Sequence, residues 1–411
     1  MIRILREKDA ASLIRRKEVR LEEAERIVAP ILADIRARGD AALLEYARKF
    51  DGFDGASVRM EVRGSLDPAF QRAVEVAAKN IREYAETQLP VEWFTDYRDG
   101  RKLGQIVRPL DAMGAYVPAG RYPLPSTLLM TVLPAQVAGV QTICVACPHP
   151  SAEILGIAQW LGLPHLYRMG GAQAIAALAY GTETVPKVDR IVGPGNIYVA
   201  AAKKLIVGET GIDFVAGPTE IVIIAADGDP RWIAADLLAQ AEHDVDASAI
   251  LLTTSQSLAE AVAEEVEVQL ATLPTAAVAR PSIENNGAIV VLETLEQAVE
   301  MSNALAPEHL ALHDETLLDK IRHAGAVFVG ASSPESAGDY ASGPNHVLPT
   351  SGAARLRGGL SAADFVKVIA VQQLSLEGLA KLTPAITALA RAEGLEAHAR
   401  SAEVRGEVRG E

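Results

Sequence analysis

The chain has 411 residues, of which 49% are hydrophobic and 22% charged, a balance typical of a globular protein with a well-buried core. Its 39 basic and 53 acidic residues give a net charge of −14, which argues against nucleic-acid partners because neutralising phosphates needs a basic surface. The sequence has no uninterrupted apolar stretch that could span a membrane and no disulfide framework, so it predicts a cytoplasmic protein of two or three domains without a membrane partner.

The first hundred residues are predicted to be helical. Apolar side chains recur every three or four residues between Leu21 and Phe50, which is the pattern of an amphipathic helix. A second helix is predicted to begin after Asp67, a candidate N-cap, and to end before Pro90.

From Leu110 onward, short apolar runs alternate with alanine-rich helical segments, which predicts βαβ units and mostly parallel, covered sheets. The first set of predicted strands is Met113–Val117, Thr142–Ala146, His165–Met169 and Arg190–Val192. The second set is Glu220–Ala225, Ser248–Thr253 and Gly287–Val291, and a last strand is predicted at Asp364–Ala370 before a helical segment at Ser375–Arg400. The predicted fold class is therefore α/β, with two domains in sequence and a helical N-terminal region.

Gln240 and His243 are the first candidate site residues. They are three positions apart, so they share one face of a predicted helix. An amide oxygen with an imidazole nitrogen is chemically suitable for zinc. On spacing alone, a histidine stabilised at the C-terminus of a helix is the more common explanation.

Glu308 and His309 are adjacent in the segment APEHL. A carboxylate and an imidazole suit proton transfer near neutral pH. Neighbours on a strand point to opposite faces, so we expect the two side chains to serve different protons rather than to pair. Taken alone, they could also be ordinary loop residues.

Residues 333–349 form the densest polar segment and are predicted to be a long loop, because they are rich in Pro, Gly, Ser and Asn. The segment contains Asp339, Tyr340, Asn345 and His346, which are unusual in a solvated linker and favour a functional site. Glu393 and His398, near the end of the chain, could both be surface residues.

Two glycine-rich turns and one cysteine pair complete the candidates. The turns at residues 169–173 and 192–196 each follow a predicted strand and open a helix, where α/β proteins bind anionic ligands, although a tight turn alone explains either one. Cys144 and Cys147 have CxxC spacing but lie in a predicted buried strand, so their sulfurs should not converge. We interpret them as inert core residues.

Together these segments resemble the histidinol dehydrogenase family over almost the whole chain. The motifs that carry the resemblance, in family order, are GAYVPAGRYPLPST, GGAQAIAALAYGT, VGPGNIYV, AGPTE, AQAEHD, APEHL, ESAGDYASGPNHVLPT and EGLEAHA. So many ordered segments are far more specific than any one of them.

The resemblance implies an α/β fold of two Rossmann-like domains with mostly parallel sheets, a helical N-terminal region and a small C-terminal tail domain. The implied division has four parts: an N-terminal arm at 1–21, a first α/β domain at 22–114 with 220–360 that holds the zinc and catalytic residues, a second α/β domain at 115–219 with the NAD-binding turns, and a swapped tail domain at 361–411.

The resemblance also implies the reaction, the last step of histidine biosynthesis. Members of the family oxidise L-histidinol to L-histidine in two NAD-dependent steps through L-histidinaldehyde. His309 would take the alcohol proton while hydride leaves to NAD, and Glu308 would help a water attack the aldehyde. One zinc per subunit would orient the substrate, although the residues alone leave zinc, manganese and cobalt open.

The implied site residues fall into four groups. The metal ligands would be Gln240, His243, Asp339 and His398; the catalytic pair would be Glu308 and His309; the substrate contacts would be Thr219, Gln240, His243, His309, Asp339, His346, Glu393 and His398; and the NAD contacts would be Tyr116, Gln173 and Asn196. In the family, the histidine that matches His398 comes from the other subunit, which implies a homodimer with shared sites.

Two positions depart from the family pattern, and several other functions stay open. Thr219 stands where serine is common, and Ala119 stands where glycine is common and would resist a positive φ. The alternatives are a related dehydrogenase of another small alcohol such as a sulfonated diol, a non-catalytic scaffold stabilised by zinc, and a simple nucleotide-binding module. Glu393, His346 and His398 favour a substrate with an amine and an imidazole.

Overall fold

A computed structural model of the protein describes residues 1–10, 13, 21–118, 123–215 and 217–406. Ala119 lies outside the described residues. The chain divides into two compact units, Met1–Gln88 with Leu110–Phe365 and Leu89–Pro109 with Val366–Glu411. Within the described ranges, no helix has both the length and the apolar content needed to cross a membrane.

From Ala112 onward the described elements mostly alternate between strands and helices, as predicted, but the first hundred residues, which were predicted to be helical, also contain the strands Arg3–Arg6, Arg59–Glu61 and Trp93–Asp96. The strands are β1 (Arg3–Arg6), β2 (Arg59–Glu61), β3 (Trp93–Asp96), β4 (Arg101–Pro109), β5 (Ala112–Tyr116), β6 (Thr142–Ala146), β7 (His165–Tyr167), β8 (Arg190–Val192), β9 (Gly211–Ile212), β10 (Glu220–Ile224), β11 (Ser248–Thr253), β12 (Ala288–Val291), β13 (His309–Leu312), β14 (Ala326–Val329) and β15 (Val366–Leu374). The α-helices are Leu21–Arg38, Asp40–Asp51, Pro68–Thr87, Pro125–Ala138, Ala152–Trp160, Gly171–Tyr180, Ile197–Ile206, Pro230–Ala241, Gln256–Leu270, Ala276–Asn286, Leu295–Leu305, Glu335–Tyr340, Leu376–Ala392 and Glu396–Glu403.

The first sheet is parallel and has the order β1-β12-β11-β10-β13-β14. Its central strands are mostly apolar after their first residues, because helices cover both faces and both sets of side chains are buried. The chain builds β11 and β12 on one side of β10 and then β13 and β14 on the other. The strand order therefore reverses between β10 and β13.

The second sheet has the order β2-β7-β6-β5-β8-β9 and is parallel except for the antiparallel pair β2 and β7. Its strand order reverses between β5 and β8. The two glycine-rich turns follow β7 and β8, so they lie at the carboxyl edge of this sheet. The predicted α/β fold class with mostly parallel sheets is confirmed.

The N-terminal helices pack differently from the division that the sequence implied. That division placed residues 22–114 with 220–360. The helices Leu21–Arg38 and Asp40–Asp51 instead share a hydrophobic core with the helices of the second sheet, because apolar side chains such as Val28 and Leu43 are buried in the same cluster as Ile175. Strand β2 also pairs with the second sheet.

The predicted single helix from Leu21 to Phe50 is two helices. Gly39 separates them with a φ of +55°, a conformation that glycine adopts without the penalty of a side chain. The segment 333–349 also differs from the predicted loop, because it contains the short helix Glu335–Tyr340.

The second unit contains the antiparallel sheet β15-β4-β3 and the last two helices. The predicted strand Asp364–Ala370 is found at Val366–Leu374, where it pairs with β4 along its whole length. Neither β3 nor β4 was predicted from the sequence. Several apolar side chains of this unit are exposed, among them Trp93, Phe94, Val368 and Ile369.

The two cysteines are core residues, as interpreted from the sequence. Cys144 and Cys147 are both free and buried. Burial raises the pKa of the Cys144 thiol to about 11 and that of the Cys147 thiol to about 12, so neither is a reactive thiolate near neutral pH.

Candidate active site

A cluster of polar side chains lies at the amino ends of β10 and β13, where the strand order of the first sheet reverses. Ile221 is opposite His309 in the parallel register, so Glu220 and Glu308 lie beside each other just before that pair. Ala306 ends the preceding helix with a φ of +48°, which costs on the order of 1 kcal/mol for a residue with a side chain. This turn directs Glu308 toward the start of β10.

Glu308 is 6% exposed and is held by two hydrogen bonds. Its carboxylate accepts from the hydroxyl of Thr219 and from the backbone N–H of Glu220 at 2.9 Å. Burial raises the pKa of Glu308 above its ordinary value, although the neighbouring imidazole and these donors oppose the shift. The predicted catalytic carboxylate is therefore buried and fixed in orientation.

His309 is 4% exposed and lies between two carboxylates. Its Nδ1 is 3.3 Å from the backbone oxygen of Glu220 and 3.6 Å from Oε2 of Glu308, while its Nε2 is 3.4 Å from Oδ1 of Asp339. Burial lowers the pKa of His309, but the charge of Glu308 and the hydrogen bond to Asp339 outweigh it and raise the pKa to about 10. The ring also stacks on Phe328, with 5.9 Å between ring centroids.

The expectation that Glu308 and His309 would not pair is wrong. His309 is the first residue of β13, and Glu308 precedes the strand. The alternation of side chains along a strand therefore does not apply to Glu308, whose carboxylate reaches the imidazole of the next residue.

Thr219 links Gln240 to Glu308, because its hydroxyl contacts both side chains. The Gln240 amide is fully buried between the Thr219 hydroxyl and Glu335. With its oxygen toward Thr219, the amide accepts from the N–H of Glu220 at 3.1 Å and donates to Glu335 at 3.2 Å. Thr219 keeps the hydroxyl of the family's serine, and that hydroxyl contacts Glu308.

Asp339 lies beside His309, and His346, from the same polar segment 333–349, contacts Asp339. The His346 Nδ1 is 2.8 Å from the backbone oxygen of Asp339, and its Nε2 is 3.3 Å from the hydroxyl of Thr127. Burial lowers the pKa of His346, which favours a neutral imidazole. Burial alone would raise the pKa of Asp339, but its hydrogen bond to His309 and the nearby histidine charges lower it, so the carboxylate is ionised near neutral pH.

His243 lies in the turn after the helix that carries Gln240. This helix ends at Ala241, and the backbone N–H of His243 donates to the backbone oxygen of Gln240 at 3.3 Å. The His243 side chain is exposed, and its charge acts on both Asp339 and His346. The two residues therefore do not share a helical face as predicted, but they remain close through the turn.

Three of the four predicted metal ligands belong to this cluster. Gln240, His243 and Asp339 offer an amide oxygen, an imidazole nitrogen and an ionised carboxylate, a donor set that suits zinc. Among the described residues, no three His, Cys, Asp or Glu side chains meet closely enough to form a metal site by themselves. The three described ligands include only two residues of those types, His243 and Asp339.

Glu393 and His398 belong to the second unit. Glu393 follows the helix Leu376–Ala392, and His398 is on the helix Glu396–Glu403. Both side chains are exposed.

The three predicted NAD residues lie at the carboxyl edge of the second sheet. Tyr116 ends β5, and its hydroxyl accepts from the N–H of Gly171 at 3.1 Å. Gln173 donates to Asp51 at 3.0 Å, while the exposed Asn196 caps its helix by accepting from the N–H groups of Tyr198 and Val199.

Sequence reasoning did not find Asp51, Asp236 or Glu335. Asp51 accepts from the backbone N–H of Gly170 at 2.9 Å as well as from Gln173, so it fixes the first glycine-rich turn. Glu335 is 2% exposed, and burial holds its pKa well above the usual range. Asp236 lies one helical turn before Gln240, and burial raises its pKa to about 6. The only signal for Glu335 was its position in the polar segment 333–349.

The fold and this cluster define a class of protein. A buried cluster of two carboxylates and an imidazole with perturbed pKa values is typical of an enzyme that uses acid–base chemistry. The fold also matches an acetylating aldehyde dehydrogenase from Geobacillus thermoglucosidasius with a TM-score of 0.51 at 14% identity over 90% of this chain and 94% of the other, a likeness of fold alone.

Comparison with known proteins is more specific. The family model for histidinol dehydrogenase matches residues 14–406. The chain is 50% identical to the histidinol dehydrogenase of Geobacillus kaustophilus over 98% of this chain and 99% of the relative, and 45% identical to that of Methanothermobacter thermautotrophicus over 95% of each. The crystal structure of histidinol dehydrogenase from Elizabethkingia anophelis superposes with a TM-score of 0.93 at 36% identity, covering 99% of this chain and 98% of the other.

The chain therefore belongs to the histidinol dehydrogenase family. This is a family of NAD-dependent, zinc-binding oxidoreductases that convert histidinol to histidine in two steps. The expected fold and family are confirmed.

Proposed function

We propose that this chain oxidises L-histidinol to L-histidine in two NAD-dependent steps through L-histidinaldehyde, with one zinc per subunit. The observation that carries the proposal is the buried arrangement of Glu308, His309 and Asp339 at the start of β13, in a chain that belongs to this family. A purely structural zinc site would not need this acid–base pair beside it.

The proposed zinc ligands are Gln240, His243, Asp339 and His398. When bound, the metal would supply a Lewis-acidic centre that orients the substrate for reaction. In the polypeptide, the lowered pKa of Asp339 keeps an anionic ligand available, and the buried amide of Gln240 is held in place by Glu335.

His309 is the proposed base of the first oxidation. It takes the proton of the substrate hydroxyl while hydride leaves the same carbon for NAD, so the alcohol loses two electrons and becomes an aldehyde. The charge of Asp339 is one of the causes that raise the pKa of His309. The charge of Glu308 is the largest of these causes, and sharing the charge of Asp339 with a bound cation is expected to shift the pKa downward, toward the range in which the imidazole accepts a proton.

Glu308 is the proposed base of the second oxidation. It takes a proton from a water that attacks the aldehyde carbon, and the hydrate then loses hydride to a second NAD to give the carboxylate. Its hydrogen bonds to Thr219 and Glu220 hold the carboxylate in one orientation while it acts. Substrate contacts are proposed at Thr219, His346 and Glu393, and NAD contacts at Tyr116, Gln173 and Asn196.

The proposal includes a homodimer in which residues 361–411 are exchanged, so that His398 and Glu393 complete the site of the other copy. Two observations support it. Both side chains are exposed within one chain, and the second unit exposes apolar side chains such as Trp93 and Ile369, which a second copy could cover. A cytoplasmic location is also proposed, and the free state of both cysteines supports it.

Production of NADH from histidinol by the purified, zinc-loaded protein tests this function. We expect two NADH for each histidinol consumed and much slower turnover of a sulfonated propanediol. His309→Ala should abolish turnover while zinc stays bound. No NADH from histidinol would refute the proposed substrate, and unchanged turnover in His309→Ala would support the zinc-stabilised scaffold instead.

A further inference from the structure

Lys203 and Asp213 form an ion pair inside the core of the second sheet. The Lys203 Nζ is 2.7 Å from Oδ1 of Asp213, and the two side chains are 3% and 0% exposed. Lys203 belongs to the helix Ile197–Ile206, which begins at the proposed NAD residue Asn196, and Asp213 directly follows the edge strand β9. Nothing in the proposed chemistry uses either residue.

The pair holds both backbone polar groups of Gly193. The Lys203 Nζ donates to the backbone oxygen of Gly193 at 2.5 Å, and Oδ2 of Asp213 accepts from its N–H at 2.8 Å. Oδ1 of Asp213 also accepts from the N–H of Phe214 at 2.7 Å. Gly193 directly follows β8, so the second glycine-rich turn is attached to the core where the chain leaves the strand.

The position of Gly193 also matters for Tyr116. Gly193 has a φ of +112°, and a Cβ at this position would overlap the backbone oxygen of Tyr116. The turn therefore lies directly against one proposed NAD residue at its start and reaches another, Asn196, at its end. A shift of Gly193 would move both.

Stability alone does not explain why these charges are buried. Replacing a buried ion pair by apolar side chains of similar volume is often neutral or stabilising, because both charges lose their hydration on folding. An apolar pair would, however, leave the N–H and carbonyl of Gly193 without partners.

We propose that Lys203 and Asp213 are positioning residues for cofactor binding: by holding both backbone groups of Gly193, they fix residues 193–196 against Tyr116 so that the turn is preformed for the dinucleotide. This inference rests on the proposed NAD-dependent function. Neither side chain touches the cofactor, and their effect on it passes through the turn.

Two neutral replacements of the pair test the inference. Lys203→Gln/Asp213→Asn keeps a donor for the carbonyl and an acceptor for the N–H of Gly193, whereas Lys203→Met/Asp213→Leu removes both. We expect the dissociation constant for NADH, measured by fluorescence titration, to stay within about threefold in the first variant and to rise about tenfold or more in the second, because misplaced binding groups cost one to two orders of magnitude. The KM for histidinol and the zinc content should change by less than about twofold, since the pair acts on the cofactor turn alone.

The control is Lys204→Met, which removes an exposed lysine on the same helix whose partner is Glu25. It should bind NADH like the unmodified chain. Should Lys203→Met/Asp213→Leu fail to fold by circular dichroism, Lys203→Met/Asp213→Asn is expected to weaken NADH binding at least about threefold, because it removes the donor to the Gly193 carbonyl and leaves one acceptor oxygen for the N–H groups of Gly193 and Phe214.

The outcomes separate the two proposals. Failure of the unmodified chain to bind NADH would overturn the proposed function, and this inference with it. If the unmodified chain binds NADH and folded Lys203→Met/Asp213→Leu binds it equally well, the positioning role is overturned and the function stands. Failure of all three pair variants to fold would also overturn it, because the pair would then serve the fold as a whole.

Discussion

Replacement of Glu308 by glutamine should separate the two oxidations. Glutamine has nearly the same volume and keeps an oxygen that can accept from the Thr219 hydroxyl and from the N–H of Glu220, which is 2.9 Å from the carboxylate. The start of β13 should therefore stay in place. The variant loses only the negative charge and the ability to take a proton.

Both losses have a calculable size. A positioned general base contributes about 10²- to 10⁴-fold in rate, so water attack on the aldehyde should slow by roughly that factor, or about 3–5 kcal/mol in activation free energy. The charge of Glu308 lies 3.6 Å from Nδ1 of His309, a separation at which two unit charges interact by on the order of 4 kcal/mol at an effective dielectric constant of about 20. Losing this charge lowers the pKa of His309, so the acid limb of the first oxidation should move to lower pH.

Rapid mixing with histidinol and NAD measures both effects. We expect the unmodified enzyme to form two NADH per histidinol at one steady rate, and Glu308→Gln to form the first NADH in a burst before a slow phase limited by the aldehyde. The control is Glu300→Gln, an identical chemical change at an exposed position, which should leave both phases unchanged. If Glu308→Gln oxidises histidinaldehyde within about threefold of the normal rate, the assignment of Glu308 is refuted.

Three further predictions concern pH, backbone strain and assembly. Burial lowers the pKa of His313, so the unfolded chain binds this proton more readily and the free energy of unfolding should fall as the pH drops below about 6.5. In denaturant titrations at pH 7 and 5.5, His313→Asn should reduce this dependence on pH, whereas His149→Asn, at an exposed site, should not. The same dependence on pH in both variants would contradict the argument. Ala306→Gly should change the free energy of unfolding by less than about 1 kcal/mol, because relief of the positive φ offsets the added freedom of the unfolded chain. A loss above about 2 kcal/mol would show that the alanine side chain is needed. Inactive His243→Ala and His398→Ala chains, when unfolded and reassembled together, should recover up to roughly a quarter of normal activity, since each mixed dimer has one complete site; no recovery would contradict exchanged tails.

Much of the fold follows from local sequence signals. Asp67 caps the helix Pro68–Thr87 by accepting from two backbone N–H groups, as its position before a proline indicates. The buried strands of the first and second sheets are short apolar runs, and their alternation with helical segments identifies them as strands. Gly39 shows the limit of this reasoning, because the apolar stripe continues past it and hides the break between two helices.

The parts that escaped prediction depend on contacts between distant segments. Strand β4 gains its partner β15 about 260 residues later, and neither strand has a buried apolar face that a local pattern could reveal. Likewise, Glu335 and Asp51 enter the site regions through hydrogen bonds to segments far from them in the chain: Glu335 accepts from Gln240, and Asp51 accepts from Gln173 and from the N–H of Gly170. Local spacing cannot indicate such partners.

Anomalous diffraction at the zinc edge from crystals of the zinc-loaded protein tests the central claim most directly. We expect one zinc peak per subunit, bonded to Gln240, His243 and Asp339 of one copy and to His398 of the other, with His309 beside the bound substrate. A zinc peak away from these four side chains would contradict the account. So would the absence of zinc between them in crystals grown from fully active protein.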